Sequence, residues 1–155
     1  MRLVAQRVAS GSVTWEESGS KQAATIGPGF VLLVGAGSDD DESTVRRLAD
    51  KVVDMRVFAD EAGRMNLSLE DVKGSALIVS QFTLFADLSR GRRPSLLKAG
   101  DPKRAEELYL AFVQRFRERG IETETGSFGA VMHVSIDNDG PVTLVLSTDD
   151  WPTRV

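Results

Sequence analysis

The chain has 155 residues, of which 41% are hydrophobic and 27% are charged, the balance of one globular domain with a buried core. It contains no cysteine and a single histidine, His133, which excludes disulfides, thiolate nucleophiles and a two-histidine metal site within one chain. No apolar run is long enough for a signal peptide or a membrane span. We therefore expect a cytoplasmic protein with no metal, no cofactor and no membrane partner.

The net charge of −4 and the pI near 5.1 argue by themselves against a nucleic-acid partner, because phosphate contacts need lysine and arginine. The positive charge is unevenly distributed, however. Four basic residues lie within nine positions of one another: Arg90, Arg92, Arg93 and Lys98. Since an acidic protein can still present one basic patch, composition leaves the question of a nucleic-acid partner open.

The N-terminal part is predicted to form strands. Arg2–Ser10 alternates in polarity, Gly11 is expected to break this strand, and Ser12–Glu17 is expected to be its hairpin partner. A short strand follows at Lys21–Ile26. The apolar run Phe30–Val34 is too short for a helix and is typical of a strand buried on both faces.

Two helices are predicted. The first, capped by Asp41 or Ser43, is expected to run to about Asp54, because its apolar positions recur at steps of three and four residues. The second, capped by Asp101, begins with Pro102 in its first turn and is expected to end at Gly120.

The remaining elements are short strands, separated by a polar, basic loop over Ala86–Gly100. Eight or nine strands and two helices that do not alternate regularly argue against a doubly wound sheet. We expect one domain over residues 1–155, of α/β class and α+β-like, with a large mixed or antiparallel sheet or barrel. The remaining strands are predicted at Arg56–Ala59, Ala76–Ser80, Thr123–Thr125, Val131–Ile136 and Val142–Leu146.

Common catalytic signatures are absent. The sequence has no glycine-rich phosphate loop and no Gly-x-Ser-x-Gly elbow. Ser80 could be a nucleophile only with a base, and His133 is the one imidazole available. A hydrogen-bonded or exposed strand histidine is the favoured interpretation of His133.

Two segments have both a structural and a functional interpretation. Ser80–Phe85 (SQFTLF) follows a predicted strand, and locally it suits core packing by Phe82, Leu84 and Phe85. Asn138–Thr143 (NDGPVT) begins with Asn138–Pro141, whose residue types favour a hairpin turn between the strands Val131–Ile136 and Val142–Leu146.

Together these segments resemble the D-aminoacyl-tRNA deacylase family, also called the D-tyrosyl-tRNA deacylases. The resemblance covers nearly the whole chain and leaves only the tail 149–155 unplaced. It also rests on Gln6-Arg7-Val8, Gly63-Arg64-Met65-Asn66, Arg90-Gly91-Arg92-Arg93-Pro94-Ser95 and Thr125-Gly126-x-Phe128. The order and spacing of these motifs, rather than any one of them, make the signal specific. The resemblance implies that family's fold.

The resemblance also implies an activity. The chain would hydrolyse the ester between a D-amino acid, or also glycine, and tRNA, as a homodimer with active sites at the subunit interface. Gly140-Pro141 would form a cis peptide that enters the neighbouring subunit's pocket and excludes L-amino acids. Arg7 would brace this dipeptide, although by itself it could be a solvated strand residue.

Further site residues follow from the same resemblance. Ser80, Gln81, Phe82 and Thr83 would line the aminoacyl pocket, with the backbone N–H groups of Phe82 and Thr83 facing the oxyanion. Two mechanisms stay open: attack by Thr83, or attack by water assisted by the ribose 2′-hydroxyl, which is favoured because the motifs supply little acid–base chemistry. Phe128 and Met132 would pack around the terminal adenosine, unless they are simply core residues.

Arg90, Arg92, Arg93 and Lys98 would contact acceptor-stem phosphates, the alternative being a solvated loop. Three rival functions stay open: a non-catalytic tRNA-binding module, a related deacylase with altered chiral preference, and a serine hydrolase that uses Ser80 and His133. The preferred D-amino acids and tRNAs are left open.

Overall fold

The computed structural model describes residues 1–149, so most of the tail that no motif covers lies outside the described residues. This part of the chain forms two α-helices, a short 3-10 helix and eight strands. The helices are α1 (Glu42–Asp54) and α2 (Pro102–Glu118), and the 3-10 helix is Phe82–Phe85. The strands are β1 (Arg2–Glu17), β2 (Ser20–Ile26), β3 (Gly29–Gly35), β4 (Phe58–Ala59), β5 (Met65–Leu67), β6 (Ser75–Ser80), β7 (Thr123–Thr125) and β8 (Met132–Ser147).

Six strands form one mixed sheet in the order β2-β1-β3-β6-β7, with β8 along the other side of β1. β3, β6 and β7 are parallel, whereas β1 is antiparallel to each of its neighbours. The sheet curls until β2 approaches β6 and β7, which gives a nearly closed barrel. The predicted class, a mixed sheet or barrel with two helices, is confirmed.

β1 is one continuous strand of 16 residues, so the hairpin predicted around Gly11 is wrong. A β-carbon at Gly11 would lie 2.5 Å from Cγ2 of Val31. The glycine therefore permits the Val31 side chain of β3 to pack closely against β1, rather than causing a chain reversal. The first half of the strand pairs with β3 and the second half with β2.

β8 is also continuous, so the hairpin predicted at Asn138–Pro141 is wrong as well. Both of its halves pair with β1 in one antiparallel direction, and they do not pair with each other. Val8 is opposite Asn138, while the preceding residue Arg7 is opposite Val142. Residues 139–141 consequently leave the ladder as a bulge.

The helices cover one face of the sheet, and their predicted caps are largely confirmed. The Asp41 side chain accepts the Thr44 N–H, and Asp101 caps α2 by accepting the amides of Lys103 and Arg104. α2 ends at Glu118, slightly before the predicted Gly120.

The core has two layers, one on each face of β3 and β6. Between sheet and helices lie large side chains such as Phe30, Ile78, Phe112 and Phe116. The opposite face, with Val31 and its neighbours, is covered by the curled part of the sheet. Within residues 1–149, no helix is long and apolar enough to span a membrane.

Candidate active site

A cavity of about 550 Å³ opens at the carboxyl ends of β3 and β6. Its size is typical of small-ligand sites, and neighbouring parallel strands commonly end at such sites. The walls are mostly apolar and include several glycines and alanines. Lining residues include Gly35, Ala36, Ser80, Gln81, Phe82, Leu96, Gly100, Tyr109, Phe128 and Met132.

The SQFTLF segment forms one wall. Ser80 is the last residue of β6, and the Gln81 N–H donates to the Val34 carbonyl at 2.8 Å, which continues the strand pairing by one residue. The chain then turns into the 3-10 helix, where Phe82 is 59% exposed and Phe85 is buried. The local core interpretation is therefore right for Phe85 and wrong for Phe82.

The amides of Phe82 and Thr83 start the 3-10 helix, so they have no partner within it. Among the described residues, neither N–H donates a hydrogen bond elsewhere. They are two backbone donors beside a cavity that Phe82 itself lines.

The Thr83 hydroxyl has no base beside it within residues 1–149. The Gln81 side-chain amide donates to Thr83 Oγ1, and an amide cannot remove a proton at neutral pH. His133 is exposed on β8, between Met132 and Val134, which both line the cavity. Alternation along the strand directs His133 to the opposite face, so it does not meet Ser80.

Phe128 and Met132 also line the cavity, and Phe128 packs against the helix-side core as well. Sequence reasoning missed Tyr109, whose ring centre lies 5.7 Å from that of Phe128. Its hydroxyl donates to the Ile78 carbonyl at 2.7 Å, and burial raises the pKa of the phenol, so it stays neutral. The only feature of the sequence that could have indicated Tyr109 is its position on the apolar face of α2.

Gly140 and Pro141 do not line the cavity but are exposed at the tip of the β8 bulge. The peptide bond between them is cis, as expected. Arg7, beside the bulge, is opposite Phe30 at the start of β3, whereas the cavity lies beyond Val34 at its end. Four residues of strand correspond to roughly 13 Å. One chain therefore does not bring the two halves of the predicted site together.

Arg7 contacts the bulge directly and is not a solvated strand residue, since its side chain is 12% exposed. One terminal nitrogen donates to the Val57 carbonyl at 2.6 Å. The Nε atom forms an ion pair with Asp139 at 3.0 Å, without hydrogen-bond geometry. A β-carbon on Gly140 would lie 2.9 Å from the other terminal nitrogen, so the guanidinium lies directly against this glycine.

The four predicted phosphate contacts are exposed on the loop that follows the 3-10 helix. The same loop supplies Leu96, Ala99 and Gly100 to the cavity wall. The basic side chains therefore belong to a segment that forms the cavity's rim. They are Arg90, Arg92, Arg93 and Lys98.

A mixed α/β domain with an apolar, ligand-sized cavity at its parallel strand ends is typical of an enzyme with a small-molecule or nucleotide site. The family model described as D-Tyr-tRNA(Tyr) deacylase matches residues 4–147. The chain belongs to this family.

Two relatives match the sequence of this chain along almost their full length. A protein named D-aminoacyl-tRNA deacylase from Exiguobacterium sibiricum is 53% identical over 146 residues, covering 94% of this chain and 99% of its own. One of the same name from Bacillus pumilus is 50% identical over 150 residues, covering 97% of this chain and 100% of its own.

Two solved structures have the same fold. One, titled c-Myc DNA Unwinding Element Binding Protein, is 36% identical with a TM-score of 0.87, and the match covers 96% of this chain and 99% of that one. Another, described as a probable eukaryotic D-amino acid tRNA deacylase, has a TM-score of 0.82 at 17% identity, over 94% and 97% of the two chains, and shows the fold alone.

Proposed function

We propose that this chain hydrolyses the ester bond of D-aminoacyl-tRNA, with the terminal adenosine in the cavity between Phe128 and Met132. The observation that carries the proposal is the cavity itself, which these two side chains line together with Ser80, Gln81 and Phe82. An apolar slot with an aromatic wall suits a purine base. The aminoacyl ester would then lie at the 3-10 helix.

Backbone donors would supply the main catalytic effect. The N–H groups of Phe82 and Thr83, which have no hydrogen-bond partner within residues 1–149, are suited to the oxyanion that forms when the ester carbonyl is attacked. A donor of this kind typically contributes about 3 kcal/mol to the lowering of the barrier.

Water is the proposed nucleophile, oriented by the pocket and assisted by the 2′-hydroxyl of the terminal ribose. Attack by Thr83 would need a base to remove its proton, and its neighbour Gln81 is an amide. An aminoacyl ester is already reactive, so orientation and oxyanion stabilisation are sufficient assistance. Each turnover adds water across the ester and releases a free D-amino acid and tRNA.

Chirality would be read by Gly140-Pro141 of a second copy. In one chain this dipeptide is too far from the cavity, but it is exposed, and the contacts of Arg7 fix the bulge that carries it. Backbone carbonyls presented there could bind the substrate's α-amino group, and the side chain of an L-amino acid held in the same way would collide with them.

The unpaired edge of β8 is the docking edge that we propose for the second copy. Within residues 1–149, β8 is hydrogen-bonded only to β1, so its other edge is unpaired over 16 residues. Long free edges are usually covered by another element or another chain. We propose a homodimer in which this unpaired edge of β8 approaches the cavity of the partner subunit.

The loop of residues 86–100, which we call the rim loop, would hold the acceptor stem of the tRNA. Arg90, Arg92, Arg93 and Lys98 project from the segment that lines the cavity mouth, where phosphates of the acceptor stem would pass. A tRNA substrate places the activity in the cytoplasm.

Incubation with D-tyrosyl-tRNA and L-tyrosyl-tRNA in parallel tests the function. We expect release of D-tyrosine alone. Equal cleavage of both esters would support a deacylase with altered chiral preference, and tRNA binding without cleavage would support a non-catalytic module. Ser80 and His133 acting as a hydrolase pair is disfavoured by their geometry, and His133→Ala should leave the rate unchanged.

A further inference from the structure

A buried arginine lies directly beneath the 3-10 helix. Arg2 is 2% exposed at the start of β1, and one terminal nitrogen donates to the Leu84 carbonyl at 2.8 Å. Its guanidinium carbon lies 4.4 Å from the centre of the Phe85 ring, within the range of a cation–π contact. Arg2 therefore contacts two of the four residues of the 3-10 helix.

The charge of Arg2 is balanced on its other side. Its Nε and second terminal nitrogen both donate to the Asp149 carboxylate, the terminal nitrogen at 2.9 Å. A guanidinium is costly to bury unless its donors are satisfied. The pairing with Asp149 fixes the plane of the guanidinium, with the other terminal nitrogen facing Leu84.

Phe85 transmits this contact to the cavity wall. A β-carbon at Gly37 would lie 2.8 Å from the Phe85 ring, and one at Gly35 would lie 3.2 Å from it. Gly35 lines the cavity. The ring is thus held between the arginine and two glycines, of which Gly35 lines the cavity, and it has little room to shift.

We propose that Arg2 is a positioning residue for the reaction: it fixes the 3-10 helix so that the amides of Phe82 and Thr83 keep their orientation toward the cavity. The inference rests on the proposed function only for its kinetic consequence. Its structural consequence, the ordering of residues 82–85, can be measured whether or not the chain is a deacylase. Arg2 does not line the cavity, so it would act through the helix and not by touching substrate.

The test is Arg2→Met, which keeps a long, flexible side chain but removes the Leu84 bond and the charge over Phe85. We expect the single-turnover rate on D-tyrosyl-tRNA to fall about tenfold or more, because oxyanion stabilisation depends on donor geometry. The affinity for tRNA should stay within about twofold, since no contact with the rim loop changes. Amide hydrogen exchange of the segment around residues 82–85 should become faster.

Arg115→Met is the matched control. Arg115 is also an ion-paired arginine, bound to Asp50 on α1, and it lies away from the 3-10 helix. Each variant is measured at the same interval below its own melting temperature. Under these conditions Arg115→Met should change neither the single-turnover rate nor the amide hydrogen exchange around residues 82–85. If both variants slow the reaction equally, or if Arg2→Met leaves exchange around residues 82–85 unchanged, the positioning role is refuted.

Phe85→Leu provides a second test, which also applies if Arg2→Met does not fold. It removes the ring and leaves the arginine, so it should speed exchange in the same segment and slow the reaction. Combined with Arg2→Met, its effect on rate should be less than additive because the two side chains act through one contact. Full additivity contradicts the proposal. Absence of deacylation by the unmodified protein would overturn the proposed function and leave the exchange result to decide the role of Arg2.

Discussion

Mixing two differently damaged subunits should restore activity if the Gly140-Pro141 bulge of one chain serves the cavity of another. The first variant is Gly140→Ala. Its new β-carbon would lie 2.8 Å from Cγ2 of Val142 and 2.9 Å from Arg7, at a backbone φ of +116° that side chains rarely adopt. The second variant is Ala130→Trp, which puts a large ring where a small residue lines the cavity. Each variant alone should be nearly inactive.

The expected recovery follows from symmetry. Within one chain the bulge and the cavity lie at opposite ends of β3, roughly 13 Å apart along the strand. In a mixed dimer, one site combines both damaged parts, and the other combines the intact cavity of the Gly140→Ala subunit with the intact bulge of its partner. Random mixing makes about half of the dimers mixed, so about a quarter of all sites should be intact.

The assay is hydrolysis of D-tyrosyl-tRNA after the subunits are mixed, briefly dissociated and reassociated. The two variants are also measured separately at the same total concentration, and exchange is verified by a mass tag on one subunit. Recovery near a quarter of the unmodified rate supports a site shared between chains. If mixed dimers form and the rate stays at the sum of the two variants, the bulge does not serve the partner's cavity.

Three further outcomes can be checked with single variants. Thr83→Val should retain most of the hydrolysis rate while a substrate ending in 2′-deoxyadenosine is cleaved slowly; the reverse pattern would establish Thr83 as the nucleophile. Replacing Arg92 and Arg93 by glutamine should weaken tRNA binding and lower the slope of log affinity against log salt by roughly 2, whereas an unchanged slope removes them from the phosphate contacts. The hydrogen bond from Arg115, aided by Arg119, holds the pKa of Asp50 below its usual range. Its stabilising effect is therefore present above the ordinary carboxyl pKa of about 4 and is lost as the pH falls through the lower folded value. Urea unfolding of Asp50→Asn and unmodified protein should differ at pH 6 and converge at low pH, and a constant difference would show that this pairing is not what stabilises the fold.

The helices could be predicted from sequence because their signals are local. Asp41 and Asp101 accept amides of the next turn, and the apolar faces repeat within the element itself. The two hairpin predictions, in β1 and in β8, were wrong because the structure there depends on residues distant in sequence. Gly11 is required by the Val31 side chain of another strand, and no pattern within β1 distinguishes a glycine that permits close packing from one that ends a strand.

The candidate site could be predicted only in part, because it too depends on contacts between residues that are distant in sequence. Local patterns favoured core for Phe82 and a turn for Asn138–Pro141, and the family resemblance was needed to read them as functional. Tyr109 was missed because its periodicity on α2 is that of any core residue, and its place at the cavity depends on how α2 packs against β6. Arg2 looked like an ordinary strand residue, since its partners Leu84 and Asp149 are distant in sequence.

The bulge in β8 explains how a turn-forming sequence can remain inside a strand. Asn138 and Val142 face neighbouring residues of β1, so the three residues between them must leave the ladder. The Asn138 side-chain amide donates to the Arg7 carbonyl at 2.8 Å and to the Val142 carbonyl at 3.1 Å, which closes the base of the bulge. The preference of Asn-Asp-Gly-Pro for tight backbone is thus satisfied without reversing the chain. Because β1 continues on both sides, the projecting dipeptide is held by a long strand rather than by a hairpin tip. The proposed selection between mirror-image substrates requires this support, because a backbone element excludes the wrong side chain only if it does not yield to it.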